Sequence, residues 1–539
     1  MSKDYFKALE ALYQQNGETF ANWSKSWLKY QSDMAESWSN SLQPDQDIEA
    51  SRDHRFKGDA WNEGIYPFLR QSYELTTKAM VEMADGAGLP EEMQEKLSFY
   101  TRVATDNMAP SNFLMSNPEA LQLAQESGGQ SLKDGFQNLM DDLQKGYIST
   151  TDETAFEVGK NIGSTSGSVI FRNDIIELIQ YDPTTPQIRK NPVLIVPPCV
   201  NKFYIFDLNE KKSMVRYLLE QGQSVFMISW RNPSKEMGDR SWDDYVGDGI
   251  FEALRVSSEI SKSDNVDMLG WCNGGTMLIA ALAVLPEDLK AKLGTATFLS
   301  SLIDFSDPGQ IGVFIDEAQN EVYKQRLSNE KIAPGRDIAN AMAMLHVNES
   351  IWGFVVSNYL MGKSPAPFDV LYWNADTSNL PGNWYRFFIE EMYLKNKLRE
   401  PGALTLCGRP VDTRNIDVPC YFLAADGDHI VPWTASYTAT DLVSGPTEFI
   451  LTTGGHVSGT VINHPAKTRR KFWADGDTAE EAAGWQESAS LTDGSWWPHW
   501  LNWIEDHNPS TKVKAPVKRG NKNHKPIAPA PGTYVLEKV

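Results

Sequence analysis

One stretch of eleven residues constrains this 539-residue chain more than any other: Val266-Asp267-Met268-Leu269-Gly270-Trp271-Cys272-Asn273-Gly274-Gly275-Thr276. An apolar strand ends in Gly-x-Cys-x-Gly, and the run Met277–Leu285, hydrophobic on every side, follows at once. Strand, sharp turn and buried helix in immediate succession form a nucleophile elbow, here with Cys where Ser is usual. Small residues are needed at Gly270 and Gly274 because the strained turn brings strand and helix together there. The turn lifts the sulfur clear of the sheet and sets it at a helix N-terminus, whose partial positive charge favours the reactive thiolate. The amide of Asn273 then points toward an oxyanion.

The flanking sequence supplies a sheet for the elbow to stand on. Val169–Tyr181 has the pattern of a hairpin. Strand-like runs follow at Val193–Val196, Ser224–Trp230, Val266–Leu269, Ala296–Leu302, Pro419–Ala424 and Glu448–Leu451, with helical patterns at Lys211–Glu220 and Asp243–Ser261. This alternation predicts an α/β protein with a doubly wound, mainly parallel sheet. An elbow nucleophile requires an acid after a later strand and a His after the last, in that chain order. Pro419–Ala424 leads into Asp426-Gly427-Asp428-His429, which offers two candidate acids, and Glu448–Leu451 leads into Gly454-Gly455-His456. Asp426, Asp428 and His429 also admit a metal-ligand reading, but no other His or carboxylate spacing completes a coordination shell. The strand entering Pro197-Pro198-Cys199-Val200-Asn201-Lys202 stands where a second oxyanion amide belongs. Proline has no N–H, so the donor is Cys199 or Val200. The Cys199 thiol itself reads as a packing residue.

The remainder divides by character. Up to residue 161 the pattern is helical: Phe20, Trp23, Trp27, Tyr30, Met34 and Trp38 make one stripe, followed by helical patterns at Tyr66–Met83 and Pro118–Leu143, with a loop at Gln43–Asp59. The stripe either packs within its own domain or faces a partner subunit or apolar assembly. Residues 162–510 form the catalytic domain, interrupted over 304–408 by an aromatic-rich insertion expected to act as a lid over the C-terminal edge of the sheet. Residues 511–539 carry seven Lys/Arg, one Glu and several prolines, which predicts a flexible basic tail.

Composition excludes whole classes. The formal charge of −21, with 50 basic against 71 acidic residues, argues against a nucleic-acid binder, which needs clustered cations to displace counterions. The tail holds +6, which leaves −27 on the rest. The longest apolar run, nine residues at Met277–Leu285, is far short of the ~20 that span a bilayer, and Met1–Gln15 lacks the apolar core of a secretory signal. Four cysteines (Cys199, Cys272, Cys407, Cys420) without C-x-x-C spacing suggest free thiols in a reducing cytoplasm. Seventeen tryptophans require a large core or an apolar partner.

Several motifs together resemble the polyhydroxyalkanoate synthases of class I. They are Gly270-x-Cys272-x-Gly274-Gly275-Thr276, Pro197-Pro198-x-x-Asn201-Lys202-Phe203-Tyr204-Ile205-x-Asp207-Leu208 and Asp428-His429-Ile430-Val431-Pro432-Trp433. With them go Gly455-His456 and Asn463-x-Pro465, Trp496-Trp497-Pro498-x-Trp500, and Pro529-Ala530-Pro531-Gly532-x-Tyr534-Val535. They recur in order from about Phe56 onward; Trp271 stands where Tyr is more familiar.

The resemblance implies an α/β-hydrolase fold with a cap and a helical N-terminal domain. It implies polymerisation of (R)-3-hydroxyacyl-CoA, with short-chain 3-hydroxybutyryl-CoA favoured, and release of CoA through a thioester on Cys272. Matching positions make Cys272 the nucleophile, His456 its base and Asp428 the acid, an Asp that the family often assigns to the 3-hydroxyl of the incoming unit. A cytoplasmic homodimer at the surface of polyester granules is also implied, with no cofactor beyond the thioester substrate. Two further readings keep part of the pattern: an acyl-CoA thioesterase or other Cys-dependent hydrolase, and a non-catalytic granule-associated protein. The aromatic insertion disfavours the first, since releasing a soluble product needs no apolar surface. The intact Cys272, Asp428 and His456 set disfavours the second. Because CoA is an anion, a local basic patch is expected at the entrance, with Lys202 a candidate for it or for a surface ion pair.

Overall fold

The computed structural model describes residues 17–41 and 51–539. The Met1–Gln15 stretch, the side chain of Phe20 and the 43–50 part of the expected loop lie outside the described residues. The chain divides into two compact units, Met1–Asp152 with Asn340–Pro367, and Glu153–Ala339 with Phe368–Val539. The boundary expected at residue 161 therefore falls earlier, because Phe156 and Val158 pack against the core of the second unit. The insertion over 304–408 is not one body either. Its middle belongs to the helical unit, where Asn138 Nδ2 donates to Asn358 O (2.9 Å) and Trp352 Nε1 donates to Asn107 Oδ1 (2.7 Å).

In the helical unit, α1 (Gly17–Ser41) pairs with α2 (Tyr66–Asp85), followed by α3 (Glu91–Asn107), α4 (Pro118–Glu126) and α5 (Gln130–Lys145). The helical pattern over Pro118–Leu143 is divided at Gly128 and Gly129, whose positive φ values of 58° and 86° glycine alone adopts without cost. The aromatic stripe of α1 lies along α2: Trp23 Nε1 donates to Met83 O (2.9 Å), Tyr30 Oη lies 3.2 Å from Thr76 Oγ1, and the Trp38 ring sits 4.8 Å from Phe68. It packs within its own unit, yet Trp27 and Trp38 remain 51% and 52% exposed.

The second unit is built on eleven strands: β1 (Gly167–Arg172), β2 (Ile176–Tyr181), β3 (Val193–Val196), β4 (Val225–Trp230), β5 (Val266–Trp271), β6 (Leu293–Leu299), β7 (Cys420–Ala425), β8 (Thr447–Thr452), β9 (Lys471–Ala474), β10 (Ser490–Asp493) and β11 (Ala528–Pro529). Their order is β10-β9-β8-β7-β6-β5-β3-β4-β2-β1-β11. The central six, from β8 to β4, run parallel, and the flanking pairs are antiparallel. Parallel strands are covered on both faces, so their sequences are apolar without alternation. In β3, Val193 and Ile195 enter one core while Leu194 and Val196 enter the other. Helix α6 (Asn273–Ala283), buried at every position, joins the Leu194 side; α7 (Trp497–His507) joins the opposite side through Trp497, Trp500 and Trp503. Eleven of the seventeen tryptophans are buried, so the excess is mainly core.

The tail expected to be flexible is instead paired. Lys512–Lys514 lies antiparallel to Gln187–Arg189, and β11 adds to β1 as the edge of the large sheet. Proline fits such an edge because its missing N–H is not required there. The neighbouring amides of Ile527 and Ala530 make the bonds, to Val169 O (2.8 Å) and Gly167 O (2.9 Å). Among the described residues no helix is long and apolar enough to cross a membrane.

Candidate active site

Strand β5 delivers Cys272 to the turn before α6, with φ 54° and ψ −133°. An L-residue at positive φ is strained, and such strain persists only where the surroundings over-determine it. Here the Cys272 amide donates to Leu299 O of β6 (3.0 Å), and its carbonyl accepts from the amides of Gly275 (2.9 Å) and Thr276 (3.2 Å). The glycines allow the close approach. A Cβ on Gly270 would stand 2.5 Å from Gly275 Cα, and one on Gly274 would stand 2.5 Å from Val196 O.

The acid and the His come from the loops after β7 and β8. Asp428 is buried and uses both oxygens: Oδ1 accepts from the amides of Ile430 (2.9 Å) and Val431 (3.0 Å), and Oδ2 lies 2.7 Å from His456 Nδ1. That leaves Nε2 of the imidazole for the Cys272 sulfur, whose charge acts on the ring. Burial alone would push the imidazole down, but the Asp428 charge and Cys272 hold His456 well above its ordinary value. Burial would likewise raise the Asp428 carboxyl; facing His456, with two amides on Oδ1, it sits below the usual range. Asp426, the other candidate acid, has a different task. Its Oδ1 accepts from Gly454 N (2.8 Å), and Gly427 N donates to Gly454 O (2.9 Å), so the two loops are latched together.

The oxyanion side separates Cys199 from Val200. The Cys199 amide donates to Asn273 Oδ1 (3.1 Å), an internal bond that removes it as a free donor. Among the described residues the backbone amides of Val200 and Asn273 have no acceptor, and Asn273 directly follows the nucleophile at the start of α6. Burial pushes the Cys199 thiol far up, as an inert packing thiol requires.

Several residues at the site carry no motif. Trp271 lies 5.1 Å from the His456 ring at an interplanar angle of 32°, and 6.0 Å from Trp373 of the insertion. Tyr393, also of the insertion, is close enough to Cys272 for the sulfur's charge to help push its phenol up, after burial. Lys202 is not at an entrance. It is 3% exposed, and its Nζ donates to Glu537 O (2.7 Å). A cluster of cations stands instead between His456 and β9: Lys467, Arg469 and Arg470, with Lys471 opening the strand. Lys467 and Arg469 are exposed and have no ionic partner among the described residues, whereas Arg470 holds Thr453 O (3.0 Å) and Lys471 pairs with Asp493. Four cations in five residues of an acidic chain were the signal for this patch.

Comparison with known proteins bears on both units. The model of the family described as poly-beta-hydroxybutyrate polymerase (PhaC) N-terminus matches residues 52–218, and that of the alpha/beta hydrolase fold matches residues 192–459. The poly(3-hydroxyalkanoate) polymerase subunit PhaC of Cupriavidus necator is 43% identical over 492 residues, 90% of this chain and 83% of that protein. A poly(3-hydroxyalkanoate) polymerase of Methylorubrum extorquens is 36% identical over 99% of this chain and 88% of its own length. Poly(3-hydroxyalkanoate) polymerase 1 of Ectopseudomonas oleovorans is 37% identical over 93% of this chain and 88% of its own.

Proposed function

Because the chain belongs to the poly(3-hydroxyalkanoate) polymerase family, we propose that it polymerises short-chain (R)-3-hydroxyacyl-CoA, 3-hydroxybutyryl-CoA foremost, through a thioester on Cys272. The observation that carries this reading is the association of Cys272, His456 and Asp428, with the Asn273 and Val200 amides unengaged. The Cys272 thiolate attacks the acyl carbonyl, the bond from carbon to the CoA sulfur breaks, and the His456 imidazolium returns a proton to the departing thiolate. A hydroxyl then attacks the Cys272 thioester, His456 takes its proton, and the cysteine sulfur leaves.

The energetics suit a cysteine. Exchanging one thioester for another keeps the acyl group activated, and transfer to a hydroxyl yields the more stable oxoester, which drives elongation. A serine would lose that activation at the first step. General-base help from His456 contributes about 10²–10⁴ in rate, and each oxyanion amide about 10²–10³. With both Asp428 oxygens occupied, its part is to orient His456 and hold it protonated, rather than to act on the incoming hydroxyl. Trp271, Trp373 and Tyr393 make the surroundings of the thioester apolar, which disfavours hydrolysis. The reaction needs no resident cofactor, and the exposed, unpaired cations Lys467 and Arg469 are the candidates to meet the phosphates of CoA. On the same reading the protein works as a cytoplasmic homodimer on polyester granules.

The test is whether purified protein releases CoA from 3-hydroxybutyryl-CoA in step with insoluble polyester, with an acyl group retained on Cys272 by intact mass. Soluble 3-hydroxybutyrate as the sole product would make it a thioesterase. Full activity in Cys272→Ala would exclude the covalent route.

A further inference from the structure

The segment Thr533–Lys538 has no part in the reaction above, yet it is anchored along its whole length within the catalytic unit. Glu177, fully buried on β2, accepts from the amides of Thr533 (2.8 Å) and Tyr534 (3.1 Å). The Tyr534 hydroxyl donates to Asn173 O (2.6 Å), and the guanidinium groups of Arg172 and Arg231 lie 5.7 and 5.2 Å from its ring. Beyond this anchor, Glu537 O accepts from Lys202 Nζ (2.7 Å), Lys538 O accepts from Asn232 Nδ2 (2.9 Å), and Lys538 Nζ lies 2.8 Å from Asp376 Oδ1.

Those partners converge on the oxyanion loop. Val200 O accepts from Ser378 N (3.0 Å), and Lys202 O accepts from Trp373 Nε1 (2.7 Å). Asn232 Oδ1 accepts from Asn379 N (2.9 Å), and Asp376 Oδ2 accepts from the Tyr204 hydroxyl (2.9 Å). The loop bearing Val200 is thus pinned by residues 373–379, and both are tied to residues 537–538. Burying the Lys202 cation is costly unless it is bonded, and burial lowers it to about 8. The carbonyl of Glu537 supplies its one hydrogen bond among the described residues.

We propose that Glu537 and Lys538 are positioning residues, a clasp that fixes the 197–202 loop so that the Val200 amide sits where an acyl oxyanion forms. The inference rests on the reading of Val200 as an oxyanion donor. The test compares the full chain with a chain ending at Leu536, and with Lys538→Met and Lys538→Arg, in CoA release from 3-hydroxybutyryl-CoA. A donor misplaced by about 1 Å costs about 100-fold, so truncation is expected to lower kcat by about that factor with KM within about threefold. Alkylation of Cys272 by iodoacetamide passes through no oxyanion and is expected to stay within about twofold of the full chain.

Lys538→Met should lose about tenfold in kcat and Lys538→Arg should restore it, given how sensitive the step is to donor position. The Lys538 side chain is 59% exposed, so these variants decide the matter if the truncated chain does not fold. Unchanged turnover in the truncated chain or in Lys538→Met, or loss of alkylation in parallel with turnover, would overturn the clasp. Should the full chain release no CoA, the polymerase reading fails instead. The clasp is then read from the same variants on 4-nitrophenyl butyrate, whose acyl transfer forms the same oxyanion.

Discussion

Asp428 acts on His456 through both charge and geometry, and the two effects can be measured apart. Its carboxylate holds the imidazole well above the ordinary value against the opposing pull of burial. Asp428→Asn removes that charge, so the imidazolium should be lost at lower pH. The upper inflection in the pH–rate curve for Cys272 alkylation should move down by about 1–3 units. The wrong tautomer costs more: kcat should fall by about 10⁴ while the fold, followed by circular dichroism, stays intact. Asp426→Asn should lose far less, because Asp426 bonds Gly454 N and not the imidazole. Which of two aspartates two residues apart meets the His depends on how the β7 and β8 loops meet. Their shared Asp-x-Asp pattern left both open, and only the family motif pointed to Asp428.

At the scale of elements, the elbow is the most legible part of the molecule. Gly-x-Cys-x-Gly between an apolar strand and an all-apolar helix dictates its own geometry, since only glycine fits where backbone meets backbone. Gly274→Ala would drive a Cβ to within 2.5 Å of Val196 O, a contact that no side-chain motion relieves. Overpacking of this kind costs about 1–3 kcal/mol, which should appear as a lower thermal midpoint. The loop from His456 into β9 offers a second test. Lys467→Glu with Arg469→Glu should raise KM for 3-hydroxybutyryl-CoA by about tenfold and flatten its dependence on salt, because exposed charges act through a screened field. Cys272 alkylation should be unchanged. The basic tail was misread because lysine and proline content speaks to side chains, whereas backbone amides at positions 527 and 530 make its strand pairing.

For the whole molecule, the chain passes between its two compact units three times, at 152/153, 339/340 and 367/368. Asn340–Pro367 is held by the helical unit through Asn107, Asn138 and Ser149. Deleting residues 1–152 alone should therefore leave Trp352, Phe354 and Tyr359 without their cover and cause aggregation. Replacing 340–367 with a short Gly/Ser linker in the same deletion should restore a monodisperse species in gel filtration. The tryptophans, first a hint of an apolar partner, are mainly core residues; Trp27 and Trp38 are the ones left half exposed.

What the sequence determined by itself is the framework: a parallel sheet read from apolar runs, an elbow read from glycines, and an acid and a His read from their order after late strands. These follow from local backbone preference and burial period, which neighbouring residues encode. The tertiary structure decided the rest, and for one physical reason. A buried polar group must find a partner, and that partner is chosen by where distant chain segments meet. Thus Asn273 captured the Cys199 amide from 74 residues away and left Val200 free, and Lys202 turned inward to a carbonyl 335 residues later.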